Sequence, residues 1–282
     1  RARGERVVSR ITLTLKAAPA LRVDLRGVLP AALAALSVAE IGRVGVTHGN
    51  QTIALAELFG VALDSEAAAD GADELRLVGD CARVDRIGWK LAAGRVVVDG
   101  AAGDYVGACM SGGEVRVHGA AGVLAACEMA GGRLEIDGDV GDHAASTLPG
   151  SIDGMRGGTL VVRGRAGDRF ADRMRRGTAL VFGDVGDFAA SRLVAGTVAI
   201  GGRAGAHVGF GMRRGSVIFA GAAPTISPTF VPAQGEAPVM WQLLARDLAA
   251  HGGPFAGLAS RRAQRHLGDL AADGKGELIV VA

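Results

Sequence analysis

Apolar and polar residues alternate in short bursts along this chain, and between Gly94 and Gly221 the bursts return every 19 residues. The units open at Gly94, Gly113, Gly132, Gly158, Gly177, Gly196 and Gly215, with one interval of 26 residues and the others of 19. Six of them read G-x-φ-x-φ-x-G-x-x-G-x-x-x-[G/A]-x-x-[M/L]-x-x, where φ is apolar, as in GRVVVDGAAGDYVGACMSG at 94–112. A weaker copy precedes them around Leu75, Leu77, Gly79, Gly88 and Leu91. A period of two at the third and fifth positions predicts a strand and excludes helical repeats, and self-similarity at a fixed period predicts a solenoid. At about 3.3 Å per residue, one unit closes a loop of roughly 60 Å, and loops stacked ~4.8 Å apart put residues 19 apart above one another. The prediction is a mainly β chain: a single-stranded β-helix of about seven to eight coils built on the G-x-x-G-x-x-x-G repeat, with a small α+β N-terminal cap and an α-helical C-terminal tail.

Stacking turns the repeat into columns. Val96, Val115, Leu134, Leu160, Ala179, Val198 and Val217 form one inward column; Val98, Val117, Ile136, Val162, Val181, Ile200 and Phe219 form a second. Met110, Met129, Met155, Met174, Leu193 and Met212 are expected to close a third wall, since methionine fills irregular apolar space. The outward fourth position should be polar, yet Val161, Leu180, Ala199 and Ile218 make an apolar stripe across four units. Such a patch marks a contact. Either a partner protein or the chain's own C-terminal helices lie on it, and these four residues are the candidate partner interface.

The flanks read differently. Residues 1–71 form the expected N-terminal module: strands at Ile11/Leu13/Leu15 and Leu21/Val23/Leu25, a capping box Ser37-Val-Ala-Glu40 opening a short helix, and a hairpin around His48-Gly49-Asn50-Gln51. Residues 72–221 are the solenoid. Residues 222–282 contain a Pro-rich linker, helix-like runs from Val239 to His251 and from Leu258 to Ala272, and a last strand from Glu277 to Val281.

Composition sharpens this. Forty-five glycines with only 4% aromatic residues fit a solenoid better than a globule. No stretch reaches the ~18 apolar residues of a membrane span, and the apolar run from Gly27 to Ala39 follows a strand-like segment, which argues against a secretory signal. Cys81, Cys109 and Cys127 give neither a C-x-x-C pair nor a disulfide frame, so a reducing cytoplasm is expected. Arginine outnumbers lysine 28 to 3, a compositional mark of a G+C-rich bacterial genome.

The formal charge of +2 hides an uneven distribution: residues 156–214 hold 11 arginines against four acids. Arg165, Asp184 and Arg203 alternate sign within one column, whereas Arg156, Arg175 and Arg213 share a column flanked by Arg176 and Arg214. Like charges about 5 to 10 Å apart repel unless an anion sits between them, so these five are the candidate site for an anion or an acidic partner. Without interleaved aromatic residues the edge does not suit nucleic acid.

The chain shows no catalytic constellation. His48, His118, His143, His207, His251 and His266 fall at different offsets and make no H-x-H or H-E-x-x-H. Gly209-Phe-Gly211 is one more turn of the repeat, without the G-K-[ST] of a phosphate loop. Asp104, Asp142, Asp168 and Asp187 share one column; each is read as capping its own turn rather than binding calcium. The sequence therefore predicts no catalytic and no metal-binding residues.

The N-terminal T-L-T-L-K, L-S-V-A-E-I-G and H-G-N-Q-T-I-A-L-A-E-L-F, followed by the glycine repeat, resemble the C subunit of formylmethanofuran dehydrogenase, and more closely its bacterial relative, the C subunit of the formyltransferase/hydrolase complex. The resemblance implies a scaffold among hydrolase, dehydrogenase-like and formyltransferase partner subunits. Those partners transfer formyl from a tetrahydromethanopterin carrier to a methanofuran-type cofactor and hydrolyse it to formate. It also implies that this chain alone binds no cofactor, although the glutamyl side chains of methanofuran-type cofactors are one candidate for the arginine edge. The repeat is similar, too, to the C-terminal β-helix domain of the large subunit of glutamate synthase, which leaves a spacer domain as an alternative. A β-helix acyltransferase is a further alternative, but that fold needs an aliphatic residue every six in an 18-residue coil.

Overall fold

The computed structural model describes residues 10–64, 72–234 and 238–281. In chain order the N-terminal part contains β1 (Arg10–Leu15), β2 (Val23–Asp24), α1 (Pro30–Leu33), α2 (Val38–Gly42), β3 (Gly45–His48), β4 (Gln51–Ala54), α3 (Leu55–Leu58) and β5 (Phe59–Asp64). The capping box at α2 is formed: Ser37 N donates to Glu40 Oε2 at 2.8 Å, and Glu40 N donates to Ser37 Oγ. Strands β3 and β4 pair as the expected hairpin, turning at Gly49-Asn50. The strand expected at Leu21–Leu25 shrinks to the two residues of β2, because the chain turns directly after Leu25, with Val28 N donating to Leu25 O at 3.0 Å.

The repeat supplies β6 (Glu74–Val78), β7 (Val84–Asp85), β8 (Arg95–Asp99), β9 (Ser111–Val117), β10 (Gly131–Ile136), β11 (Thr159–Val162), β12 (Thr178–Val181), β13 (Thr197–Ile200) and β14 (Ser216–Phe219). From β6 to β14, leaving out β7, these strands pair in parallel, each with the one before it. Val96 faces Val115, then Leu134, Leu160, Ala179, Val198 and Val217; the column from Val98 to Phe219 runs in the same register. Both columns and the methionine wall are fully buried. Single-residue bridges from Cys81 through Ala102, Ala121, Val140, Ala166 and Val185 to Ala204 add a second ladder of contact between units.

The rest of each unit uses a backbone that L-residues ordinarily avoid. Left-handed residues recur at alternate positions: Arg169, Ala171 and Arg173 in one unit, Phe188, Ala190 and Arg192 in the next, with φ between +51° and +59°. Each such residue costs about 1–2 kcal/mol by itself. The cost is offset because this conformation turns their N–H groups alternately to the following and the preceding unit. Arg169 N donates to Asp187 O (2.8 Å), Ala171 N to Ala144 O (2.8 Å) and Arg173 N to Ser191 O (2.9 Å). No isolated unit can form these bonds, so the conformation depends on stacking.

The chain ends with β15 (Val231–Pro232), α4 (Pro238–Ala249), 3₁₀ turns at Gly253–Phe255 and Leu258–Ser260, β16 (Ala263–Gly268), a 3₁₀ turn at Leu270–Ala272, and β17 (Gly276–Val281). The helix expected from Leu258 to Ala272 is therefore corrected to two short turns around a strand. Residues 263–268 pair antiparallel with β17, which itself pairs in parallel with β14, and ladder bonds outweigh the helical propensity of a short alanine-rich run. The 13-stranded sheet runs β15-β16-β17-β14-β13-β12-β11-β10-β9-β8-β6-β1-β5, and a four-stranded sheet runs β4-β3-β2-β7. The protein is mainly β, with few helices.

The apolar stripe is also corrected as an interface. Val161, Leu180, Ala199 and Ile218 are fully buried beneath the chain's own Trp241, Ala245, Leu248, Phe255 and Leu258. Helix α4 folds back because four consecutive units present an apolar fourth position, a surface broad enough to bury one helix face.

Candidate functional site

The aspartate column performs a different task from the one its turn position suggests. Asp168 Oδ1 accepts from Asp187 N of the next unit at 2.8 Å, and Asp142 and Asp187 accept in the same way from Asp168 N (2.8 Å) and Ala206 N (2.7 Å). Asp104 accepts from Val123 N at 3.0 Å. The caps thus run between units rather than within one turn. A parallel column repeats the device, with Asp139 accepting from Arg165 N and Asp184 from Arg203 N, both at 2.7 Å. These bonds account for the carboxylates structurally. Among the described residues, no three His, Cys, Asp or Glu side chains converge as a metal site.

The five candidate arginines do converge. Each follows a core methionine: Met155-Arg156, Met174-Arg175-Arg176 and Met212-Arg213-Arg214. Alternation along extended backbone sends the residue after a buried methionine outward. The backbone is pinned there, since Arg156 N donates to Met129 O (2.6 Å), Arg175 N to Met155 O (2.7 Å) and Arg213 N to Leu193 O (2.8 Å). All five side chains are exposed. They line a groove of about 580 Å³ together with Asp153, Val194 and Ala195. Val194 and Ala195 occupy the intervening unit, so the floor is small and apolar while a pair of arginines stands on either side. At ~4.8 Å per unit the pairs are about 10 Å apart and the column from Arg156 to Arg213 spans about 14 Å.

Two residues at this edge carry little or no signal in the sequence. Asp153 belongs to the seven residues by which the unit opening at Gly132 exceeds its neighbours, and its Oδ1 lies 2.5 Å from Arg175 Nε. Lys275, the exposed residue just before β17, donates its backbone N–H to Arg213 O at 2.7 Å, which puts a further basic residue beside this edge. The 26-residue interval signals the first; nothing in the repeat signals the second. Arg156 reaches the Glu128 carboxylate at 3.8 Å. Among the described residues, Arg176, Arg213 and Arg214 have no ion pair.

A second cavity of about 600 Å³ lies between α4 and β16. Several of its polar groups are engaged in the fold: Trp241 Nε1 donates to Arg261 O, Arg261 to Ala220 O and Val281 O, and Arg265 to Glu277. The three cysteines are free thiols, and burial pushes Cys81 up to about 12 and raises Cys109 and Cys127 as well. A raised thiol suits neither a nucleophile nor a ligand.

Fold and groove together define a stacked, glycine-repeat β protein with an arginine-lined edge. No protein-family model matches the chain. It is 42% identical over 87 residues, 31% of each chain, to the C subunit of the formyltransferase/hydrolase complex Fhc of Methylorubrum extorquens. It is also 33% identical over 93 residues, 32% of this chain and 33% of the relative, to the C subunit of the tungsten-containing formylmethanofuran dehydrogenase 2 of Methanothermobacter wolfeii. These matches span about a third of the length of those curated relatives. A chain of the crystal structure of the Methylorubrum extorquens formyltransferase/hydrolase complex with methylofuran superimposes with a TM-score of 0.88 at 40% identity, covering 96% of this chain and 99% of that one. The protein belongs to the family formed by the C subunits of formyltransferase/hydrolase complexes and of formylmethanofuran dehydrogenases. No helix among the described residues is long and apolar enough to cross a membrane.

Proposed function

We propose that this chain is the non-catalytic scaffold subunit of a cytoplasmic formyltransferase/hydrolase complex. Its partners are hydrolase, dehydrogenase-like and formyltransferase subunits, which pass formyl from a tetrahydromethanopterin carrier to a methanofuran-type cofactor and release formate. The observation that carries this reading is the similarity, over nearly the whole of both chains, to a chain of the solved complex. The winding is that of a single-stranded β-helix of seven to eight coils, divided into residues 1–71, 72–221 and 222–282. Support for the winding comes from parallel pairing at the repeat interval.

The arginine groove serves as the scaffold's anionic contact, where an acidic partner or the glutamyl side chain of a methanofuran-type cofactor rests. Support comes from five exposed arginines around one groove that contains a single carboxylate. Tagged protein purified from its host, with mass spectrometry of what co-elutes and an assay of formate release, tests the reading. Co-elution of hydrolase and formyltransferase subunits is expected, with activity in the assembly and none in this chain alone. Elution without those partners overturns it.

A further inference from the structure

The aromatic residues are distributed unevenly. Of eight phenylalanines, two tryptophans and one tyrosine, Phe59, Phe170, Phe219, Phe230, Phe255 and Trp241 are buried in the core. Phe182 packs edge-on against Phe255 under the Arg163 guanidinium. The four that remain lie along one corner of the stack. Trp89 meets Tyr105 edge-on at 6.3 Å, Phe210 meets Phe188 edge-on at 6.1 Å, and His207 stacks on the same Phe188 ring at 4.8 Å. Arg86 lies over Tyr105 at 4.6 Å and Arg169 over Phe188 at 5.0 Å, which holds these rings in place.

Tyr105, Leu124, His143, Arg169, Phe188 and His207 form a single column, one from each unit, tied upward by bonds such as Tyr105 N to Val123 O and Phe188 N to Ala206 O. At ~4.8 Å per unit it spans about 24 Å. All six have φ between +57° and +63°, a conformation that glycine takes without strain, so the fold itself does not require bulky side chains here. Phe210 nonetheless stands 56% exposed, and Val123 beside Tyr105 is 36% exposed. Immediately before three of the column residues come Asp142, Asp168 and Asp187, all exposed. Each gives one carboxylate oxygen to the next unit, and among the described residues none of the three has an ion pair.

We infer that this corner docks a partner polypeptide whose surface carries an apolar centre flanked by lysine or arginine. The inference rests on the reading of the chain as a scaffold. Aromatic rings with arginine are the composition of an interface core, and a run of about 24 Å matches the width of a protein interface rather than a small ligand. The aspartates beside it attract cations and repel the phosphates of nucleic acid.

The test captures the assembly from its host with the tagged chain and quantifies the hydrolase, dehydrogenase-like and formyltransferase subunits by mass spectrometry. Phe210→Arg, or Phe210→Ala should the arginine lower the melting temperature, is expected to reduce recovery of at least one of these subunits about fivefold. The triple variant Asp142→Asn/Asp168→Asn/Asp187→Asn keeps the acceptors used inside the stack but removes three charges; it should reduce recovery of the same subunit about threefold at low salt. Leu243→Arg, on the exposed side of α4, should change nothing. Wild-type recovery with both the Phe210 and the triple variant overturns the docking face, as does an equal loss with Leu243→Arg. A photo-crosslinking residue at His207 in the purified assembly should give an adduct on a partner peptide containing lysine or arginine. An adduct on a second copy of this chain, or none, overturns the partner assignment. If the wild-type chain captures none of these subunits, the scaffold reading falls and this face with it.

Discussion

The Arg163 guanidinium donates to the Glu135 carboxylate at 2.7 Å, joining two adjacent units of the stack. Arg163 also donates to His251 O at 3.0 Å and lies over the Phe182 ring at 4.4 Å, so one side chain ties the repeat to the segment that follows α4. Burial alone would raise the Glu135 carboxyl, but hydrogen bonds from Arg163 and Arg133 outweigh it and hold the group below its usual range.

Glu135→Gln should therefore destabilise the protein, and the effect should depend on pH with a fixed sign. A carboxyl lowered by folding contributes fully above the unfolded value near 4.5 and loses that contribution as pH falls through the folded value. Both arginines keep access to water, so the loss should be about 1–2 kcal/mol rather than the ~3–5 of a fully buried pair. Denaturant unfolding of both proteins at neutral pH and near pH 3 checks this: the gap should narrow in acid.

The cap between units predicts an ordering of variants. Asp168→Asn keeps an acceptor for Asp187 N, while Asp168→Ala leaves that N–H to solvent; a drop of about 2–4 °C in Tm is expected for alanine and less for asparagine. Gly186→Ala should be far worse, since a Cβ there overlaps the Asp168 carboxylate and stands 2.8 Å from Asp168 N. Expression and thermal melts of the three variants provide the comparison.

Leu180→Ala should cost about 2–5 kcal/mol, the range for truncating a fully buried aliphatic residue, because the site lies under α4. Partner capture by the surviving folded fraction should be unchanged. Selective loss of partners at unchanged stability would restore this stripe as an interface.

Thiol labelling should find Cys81 and Cys127 protected at pH 8 in the folded protein and reactive after unfolding, since both are buried and their thiols are raised. Cys109, half-buried, should react more slowly than a free thiol but ahead of the other two.

Much of this architecture is legible in the residues because a stack writes its geometry into its period. A spacing of 19 names the inward columns, and a place beside the methionines names the five arginines. What stays hidden depends on elements meeting across long separations. Nothing near Ala263 announces that its strand will pair with β17, and the fourth-position stripe reads the same whether a foreign surface or α4 covers it. The aspartates fall in their expected column but serve a different partner, because a carboxylate at a turn has a local acceptor role that sequence favours and a neighbouring unit that only stacking supplies. Asp153 comes from an insertion, where the period that guides every other assignment lapses.

A pile of near-identical parallel strands has no intrinsic reason to stop, and two copies meeting end to end could grow into a fibre. Here the sheet is closed at one end by β5 running against β1, and at the other by β16 running against β17, with the two-residue β15 and its Pro232 outermost. A newcomer arriving in the direction of the repeat meets the opposite-sense β5 at one end, and at the other the opposite-sense β16, fronted by only two residues of β15 and a proline that offers no N–H. The same segments that look peripheral to the repeat therefore set its length, leaving a sheet of finite size.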